Sequence, residues 1–311
     1  MVMRKLEDRI YTYSSYLRKA YRTKVFRIGL SIGKECPHRI NSGGCVFCKP
    51  ETFVYMRNKK CKNINKCIKE VKNKVKKTYP RAKFFAYFQD GTSTAGDKNF
   101  LAEKYKNALQ DEDVIGLIVS TRPDFIDNQI IDIFKKLSYP VEVEIGLQSI
   151  HEKSLEFLAR EHSFKEADNA IELCGKNKLR VGVHIIIGIP GEDLEDMKAT
   201  IKYITENKYI NEVKFHNLVA YKDTKLASII EKKNLRLLTK REYFEILTQL
   251  IPCLKGDKVI TRLFTTSLKE DSIYKGQFKG NKTEWLTDFK KYLFKKNITQ
   301  GSKTSLPFKC K

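Results

Sequence analysis

The sequence predicts an α/β fold, a partial TIM-like barrel of six β-then-α units, (β/α)6, with strands parallel and the cylinder open or closed. Two observations predict it. Short β-rich runs alternate with stretches of helical periodicity through most of the chain, and the strand candidates share a polar face that a lumen would collect.

The strand candidates are 25–32, 84–88, 115–120, 141–147, 181–189 and 212–219. Helical spacing falls between them at Ile64, Cys67, Ile68, Val71 and Val75, then at Leu101, Tyr105 and Ala108, then at Ile130, Ile131, Phe134 and Leu137. Phe164, Ala167, Ile171 and Cys174 make the next helix, and Leu194, Met197, Ile201 and Ile204 the one after. A further helix carries Tyr243, Ile246, Leu247 and Leu250 on one face, and a short β-like stretch covers 258–264. The expected division is a core over 1–264, with a cysteine loop at 33–50, and a Lys-rich, weakly patterned extension over 265–311.

Alternation assigns the two faces of each strand. Val141, Val143, Ile145 and Leu147 form one face of the fourth strand, so Glu142, Glu144, Gly146 and Gln148 form the other. Carboxylates inside a barrel are costly without partners. The same test turns Tyr87 and Gln89, Ser120 and Arg122, Gly182 and His184, and Lys214 and His216 inward. Gln89, Asp90, Arg122, Gln148 and Gly191 then fall at the C-terminal rim, where barrel enzymes place their chemistry. Any one of these could be a satisfied structural group; their agreement across five strands is what argues for a ligand cavity.

The 311 residues carry a formal net charge of +23 and are 41% hydrophobic. That excess suits a polyanionic partner, although lysines spread over every amphipathic helix also describe solvated faces. The first ten residues are charged throughout and no run of 18 apolar residues occurs, so secretion and membrane spanning are not expected and a cytoplasmic location is. Eight cysteines in such a chain read as thiols or metal ligands rather than disulfides.

Three of them stand in GKECPHRINSGGCVFCKPETF, directly after the first strand: Cys36, Cys45 and Cys48. Thiolates this close in a loop that Gly43 and Gly44 let fold tightly make a soft-metal site, an iron–sulfur cluster or a zinc with His38 as fourth ligand. A position at the catalytic rim favours the cluster, because three thiolates leave one iron open. Cys67 and Cys174 lie on apolar helix faces and read as core, while Cys61, Cys253 and Cys310 show no partner spacing.

This loop resembles the cluster loop of radical S-adenosylmethionine (radical SAM) enzymes, and the flanking text resembles the YhcC-like family, kin of the Elp3-type radical SAM domain. The segments that carry the resemblance are YTYSSYLRKAY, CPHRINSGGCVFC, YFQDGTST, TRPD, VEIGLQS, LAREH, HIIIGIPGE and VKFHNLVAYKDTKLA, in order from Tyr11 to Ala227. The first inter-cysteine spacing is shorter than the family often shows.

The resemblance implies a radical SAM partial barrel with a [4Fe–4S] cluster on Cys36, Cys45 and Cys48 and S-adenosyl-L-methionine on the fourth iron, cleaved to a 5′-deoxyadenosyl radical. It implies cofactor contacts from Phe47, from Gln89, Asp90 and Thr92, from Ser120, Glu144, Gln148 and Arg160, and from the turn at Gly188, Pro190 and Gly191. Arg160 could instead be an ordinary surface charge, and the turn a simple helix entry capped by Glu192 or Asp193. His184, Lys214 and His216 remain as lumen groups for substrate chemistry. Partners implied are tRNA, through the wobble uridine, and an electron donor of the flavodoxin or ferredoxin type. The rivals are radical chemistry on a small metabolite or protein, and a zinc-containing RNA-binding module without enzyme activity.

Overall fold

Every expected strand forms, and the β-like stretch near residue 260 joins them as a seventh. The structure is a computed structural model that describes residues 5–50, 63–265 and 281–309. The strands are β1 (Val25–Leu30), β2 (Lys83–Phe88), β3 (Val114–Thr121), β4 (Val141–Gln148), β5 (Arg180–Ile187), β6 (Ile210–Asn217) and β7 (Val259–Arg262). All pair in parallel, in sequence order, and β1 does not pair with β7, so the sheet is a curled half-barrel.

The helices are α1 (Tyr13–Tyr21), α2 (Pro37–Ser42), α3 (Ile64–Lys76), α4 (Lys98–Ala108), α5 (Asn128–Lys135), α6 (Glu152–Phe157), α7 (Phe164–Lys176), α8 (Leu194–Glu206), α9 (Lys225–Lys233), α10 (Lys240–Leu250) and α11 (Lys282–Lys295). Most begin at a capping side chain whose oxygen takes an orphan backbone N–H: Thr12, Asn63, Asp97, Asp127, Ser163, Asp193, Thr224, Thr239 and Asn281. The predicted apolar stripes pack on the outer face of the sheet in one continuous core. Cys67 and Cys174 are buried there, Cys174 as a free thiol and Cys67, against the expectation of no disulfides, in a disulfide.

α1 closes the N-terminal mouth. Tyr13 and Leu17 pack with Phe85, Tyr87, Ile118 and Val259 inside the curl. Arg180 lies over the Tyr16 ring at 3.9 Å and Arg27 over the Tyr13 ring at 3.9 Å. A ligand therefore reaches the lumen from the C-terminal rim or through the open flank.

That flank is partly strapped. Thr12 bridges Ile260 in parallel, with the Ile260 N–H donating to the Tyr11 carbonyl at 2.8 Å. Gln300, fully buried, accepts from the Tyr11 N–H at 2.9 Å and donates to the carbonyls of Lys255 and Lys258 at 2.7 Å each.

The stretch after residue 264 differs from its reading as a weakly patterned appendage. Trp285, Phe289 and Leu293, spaced by four on α11, are fully buried, and Trp285 meets Phe264 at 5.1 Å and Phe244 at 5.9 Å. Lysines on the other face of α11 masked this stripe. Trp285→Ala is expected to cost about 3–5 kcal/mol, the usual range for emptying an aromatic site, in chemical denaturation; a cost below 1 kcal/mol would return the helix to appendage status.

Candidate active site

The cysteine loop leaves β1 at the C-terminal rim and is held from three sides. The Asp90 carboxylate, after β2, accepts from the Ser31 hydroxyl and the Ile32 N–H at 2.6 Å each, so strand pairing ends two residues before the expected 32. The Val46 N–H donates to the Leu158 carbonyl, and the Val46 carbonyl accepts from the Leu226 N–H. The Lys225 ammonium donates to the carbonyls of Ser42 at 3.0 Å and Gly44 at 3.3 Å. Gly43 and Gly44 adopt φ of +73° and +75°, as a tight loop requires.

The LAREH segment is the third brace. His38 is buried, with Nε2 at 2.8 Å from the Ala159 carbonyl and Nδ1 at 2.8 Å from Glu161 Oε2. Both partners are acceptors, so both ring nitrogens donate and neither is free to bind zinc. The pKa of His38 is raised, chiefly by the Cys45 sulfur beside it and against burial. Arg160, 5% exposed, donates from Nη1 to Cys45 Sγ at 3.2 Å, from Nη2 to the Gly146 carbonyl at 3.1 Å and from Nε to His162 Nε2 at 3.0 Å. It ties the end of β4 to the cysteine loop and is no surface charge. Burial and the Arg160 charge bring the pKa of His162 down to about 3, which keeps its Nε2 an acceptor.

The three thiols are electrostatically distinct. Burial raises the pKa of Cys45, but the Arg160 charge and the neighbouring His38 outweigh it and lower the thiol to about 6. Burial, then the charges of Cys45 and Cys36, push Cys48 up to about 12. Cys36 Sγ lies 3.0 Å from the Thr92 hydroxyl, and a Cβ on Gly91 would come within 3.1 Å of the Cys36 Cβ, a tight fit against that cysteine. Phe47 is half-buried over Val46, Leu158 and Ile186.

No three His, Cys, Asp or Glu side chains among the described residues gather around a point that one metal ion would occupy. A four-iron cube spreads its thiolates over three irons, so the test of fit is the chemistry of the loop. Three cysteines that feel one another's charge, one already favoured as thiolate by a guanidinium and an imidazolium, fit such a cluster.

Around the rim, Gln89 continues β2, its N–H donating to the Leu30 carbonyl at 3.3 Å, and the Ser120 carbonyl accepts from the Ser93 N–H at 3.1 Å. Gln148 ends β4 with φ of +65°, where the β4–β5 register shifts. Gly188, φ +84°, ends β5 two residues before the expected 189, and Pro190 and Gly191 follow in the turn. A Cβ on Gly191 would meet nothing within 4 Å, so this turn borders open space. Asp193 caps α8 by accepting from the Glu195 and Asp196 N–H groups; Glu192 instead accepts from the Ser149 hydroxyl. Arg122 pairs with Asp124, yet its buried Nη1 has no partner.

Below the rim the predicted lumen groups meet. Glu144 Oε2 accepts from the Tyr87 hydroxyl at 2.6 Å, Lys214 Nζ at 2.7 Å and His184 Nε2 at 3.0 Å, and Oε1 lies 3.4 Å from Arg27 Nη1. Burial would raise the pKa of Glu144, but Lys214 and His184 hold it well below the carboxylate range. Burial lowers Lys214 to about 7 against the pull of Glu144, and lowers His184 to about 4 with help from Lys214. His216 sits one step higher, its ring 5.2 Å from that of His184, with Nδ1 2.7 Å from the Thr265 hydroxyl. At the bottom Glu142 accepts from the Tyr13 hydroxyl at 2.8 Å; burial and the nearby Glu212 raise its pKa to about 8.

The lumen face was thus readable from alternation. Arg27, Arg262 and Tyr13 were not singled out, although Arg27 alternates with Phe26 and Ile28 on β1 in the same way.

Residues 30–204 match the Radical SAM superfamily and residues 210–295 the Radical_SAM C-terminal domain. Protein YhcC of Escherichia coli K12 is 26% identical over 97% of this chain and 98% of its own length. A tRNA uridine(34) acetyltransferase of Methanocaldococcus jannaschii is 29% identical over 155 residues, which are 49% of this chain and 28% of that protein. Among solved structures, the Elp3 of Methanocaldococcus infernus lacking residues 1–46 superimposes with a TM-score of 0.69 at 19% identity, over 89% of this chain and 64% of that one.

Proposed function

The chain belongs to the radical SAM superfamily and is an enzyme of that class, and we propose that it acts on the side chain at C5 of the wobble uridine of tRNA. Cys36, Cys45 and Cys48 would hold a [4Fe–4S] cluster with S-adenosylmethionine on its open iron, which together supply a 5′-deoxyadenosyl radical. The observation that carries the site is the hydrogen bond from Arg160 to Cys45, at the open end of a half-barrel whose other end is plugged.

The chain's own residues supply binding, orientation and proton control. Arg160 favours the thiolate of Cys45 and fixes the loop to β4. Phe47, the Gln89–Thr92 turn, Ser120, Gln148 and the Gly188–Gly191 turn would receive the cofactor's adenosine and methionine groups. Asp90 serves that role by holding the loop rather than by presenting a free carboxylate, since both its oxygens are engaged. Glu144 likewise reaches its partners in the lumen and would order Lys214 and His184 toward the substrate. Lys214, titrating near neutrality, can hold or release a proton at Nζ, while His184 and His216 stay neutral.

Support for tRNA is the similarity to the tRNA uridine(34) acetyltransferase and the net charge of +23. An electron donor of the flavodoxin or ferredoxin type would deliver the reducing electron. No helix among the described residues is long and apolar enough to cross a membrane. The test is tRNA recovered with the anaerobically purified protein, and its nucleosides compared with and without the gene. Affinity is expected to fall by about 10³-fold between 50 and 200 mM salt if some six phosphates are engaged. A flat salt response, or an unchanged wobble-uridine pool, would move the substrate to a small metabolite or a protein.

A further inference from the structure

The middle layer of the lumen holds more positive charge than its acids match. Lys214 and Arg27 share Glu144, and register places Arg262 of β7 beside Lys214. Arg262 makes no hydrogen bond or ion pair with any described residue, although a cation of that kind, half-buried, normally finds one. One step up, His216 Nε2 is buried and has no partner among the described residues either, while Thr265 fixes the other ring nitrogen. The two orphan groups come from neighbouring strands on one wall. Beside Arg262 a cavity of about 570 Å³ opens between the N-terminal strap, β7 and α11, lined also by Thr12, Lys282 and Lys290.

We propose that the β6–β7 wall is an oxyanion subsite, in which Arg262 and His216 bind a carboxylate or phosphate carried by the substrate. A guanidinium offers paired donors to such a group, and a neutral imidazole adds one from Nε2 when Nδ1 accepts from Thr265. The charge of Arg262 lowers the pKa of His216, His184 and Lys214. An anion seated there cancels that effect and returns Lys214 toward its protonated form, so that substrate binding arms the proton donor. The proposal rests on the reading of the lumen as the substrate chamber.

The test is calorimetric titration of the full chain, anaerobically reconstituted, with inorganic phosphate or acetate at constant ionic strength. Unmodified protein is expected to bind one anion saturably. Arg262→Gln and His216→Asn should each weaken it by about tenfold or more, equal to 1.4 kcal/mol, while Arg262→Lys keeps part of it and the surface variant Lys291→Gln all of it. Preference for acetate assigns a carboxylate, and preference for phosphate a nucleotide backbone group. Because Arg262 has no partner to lose among the described residues, Arg262→Gln should melt no lower than the unmodified protein. No saturable binding, equal binding by Arg262→Gln and Lys291→Gln, or a lower melting point for Arg262→Gln overturns the proposal. The titration needs no reductant and no radical. Anion binding with an unchanged tRNA nucleoside profile would keep the subsite and discard the wobble-uridine reading.

Discussion

Cys45→Ser is expected to leave the anaerobically reconstituted protein without its brown absorbance and without 5′-deoxyadenosine formation. A serine hydroxyl titrates far above a thiol and is a poor soft ligand, so Arg160 has no anion to hold. The same argument sets a graded companion. Arg160→Leu keeps all three sulfurs but removes the donor at 3.2 Å and leaves the Gly146 carbonyl without its partner. Outer partners of metal ligands usually matter by about 10–100-fold in metal affinity or activity, and that is the loss expected here. Iron content, absorbance near 400 nm and 5′-deoxyadenosine should fall together in Cys45→Ser and partially in Arg160→Leu. Full iron loading in Cys45→Ser would remove Cys45 from the ligand set.

Glu144→Gln is the second large effect, and it is on stability. Its carboxylate is the acceptor for Tyr87, Lys214 and His184 and the nearest acid to Arg27. Removing one side of a buried ion pair leaves the cations uncompensated and typically costs about 3–5 kcal/mol. The pH dependence supplies a signature. Because the folded pKa of Glu144 lies well below its ordinary 4.5, the unfolded chain takes up its proton first on acidification. The stabilisation is therefore complete above about pH 4.5 and fades as the pH falls toward the depressed folded value. Denaturation curves of Glu144→Gln and the unmodified protein should lie far apart at pH 7 and converge below pH 4. A constant gap down to pH 3 would show that packing, not charge, carries the difference.

Much of this was legible in the residues. Alternation on β4 separated Val141, Val143 and Ile145 from Glu142 and Glu144, and the latter are inside the curl, because a strand's period of two leaves no other choice. Apolar stripes at 3.6 spacing marked the crossover helices for the same local reason. Long-range contacts escaped. Arg160 reads as one charge among many in LAREH, and only the fold brings it to Cys45, 115 positions earlier. Gln300 lies in a polar stretch with no pattern at all, yet it is fully buried because three backbone partners converge on its amide. Glu144 lies one layer below the rim beside Tyr87, Lys214 and His184, a depth that alternation, which gives only the face, does not reveal.

The strap across the open flank sets the order of assembly. Gln300 joins backbone near residue 11 to backbone near residue 258, with a sequence separation of 289 between Tyr11 and Gln300. A growing chain can stack its β/α units progressively, but the bridge from Thr12 to Ile260 and the Gln300 closure form only once those distant residues are present. Such high-separation contacts are slow to form. Until they form the open flank is unstrapped, and a chain truncated before residue 300 should collapse but never make the Gln300 closure.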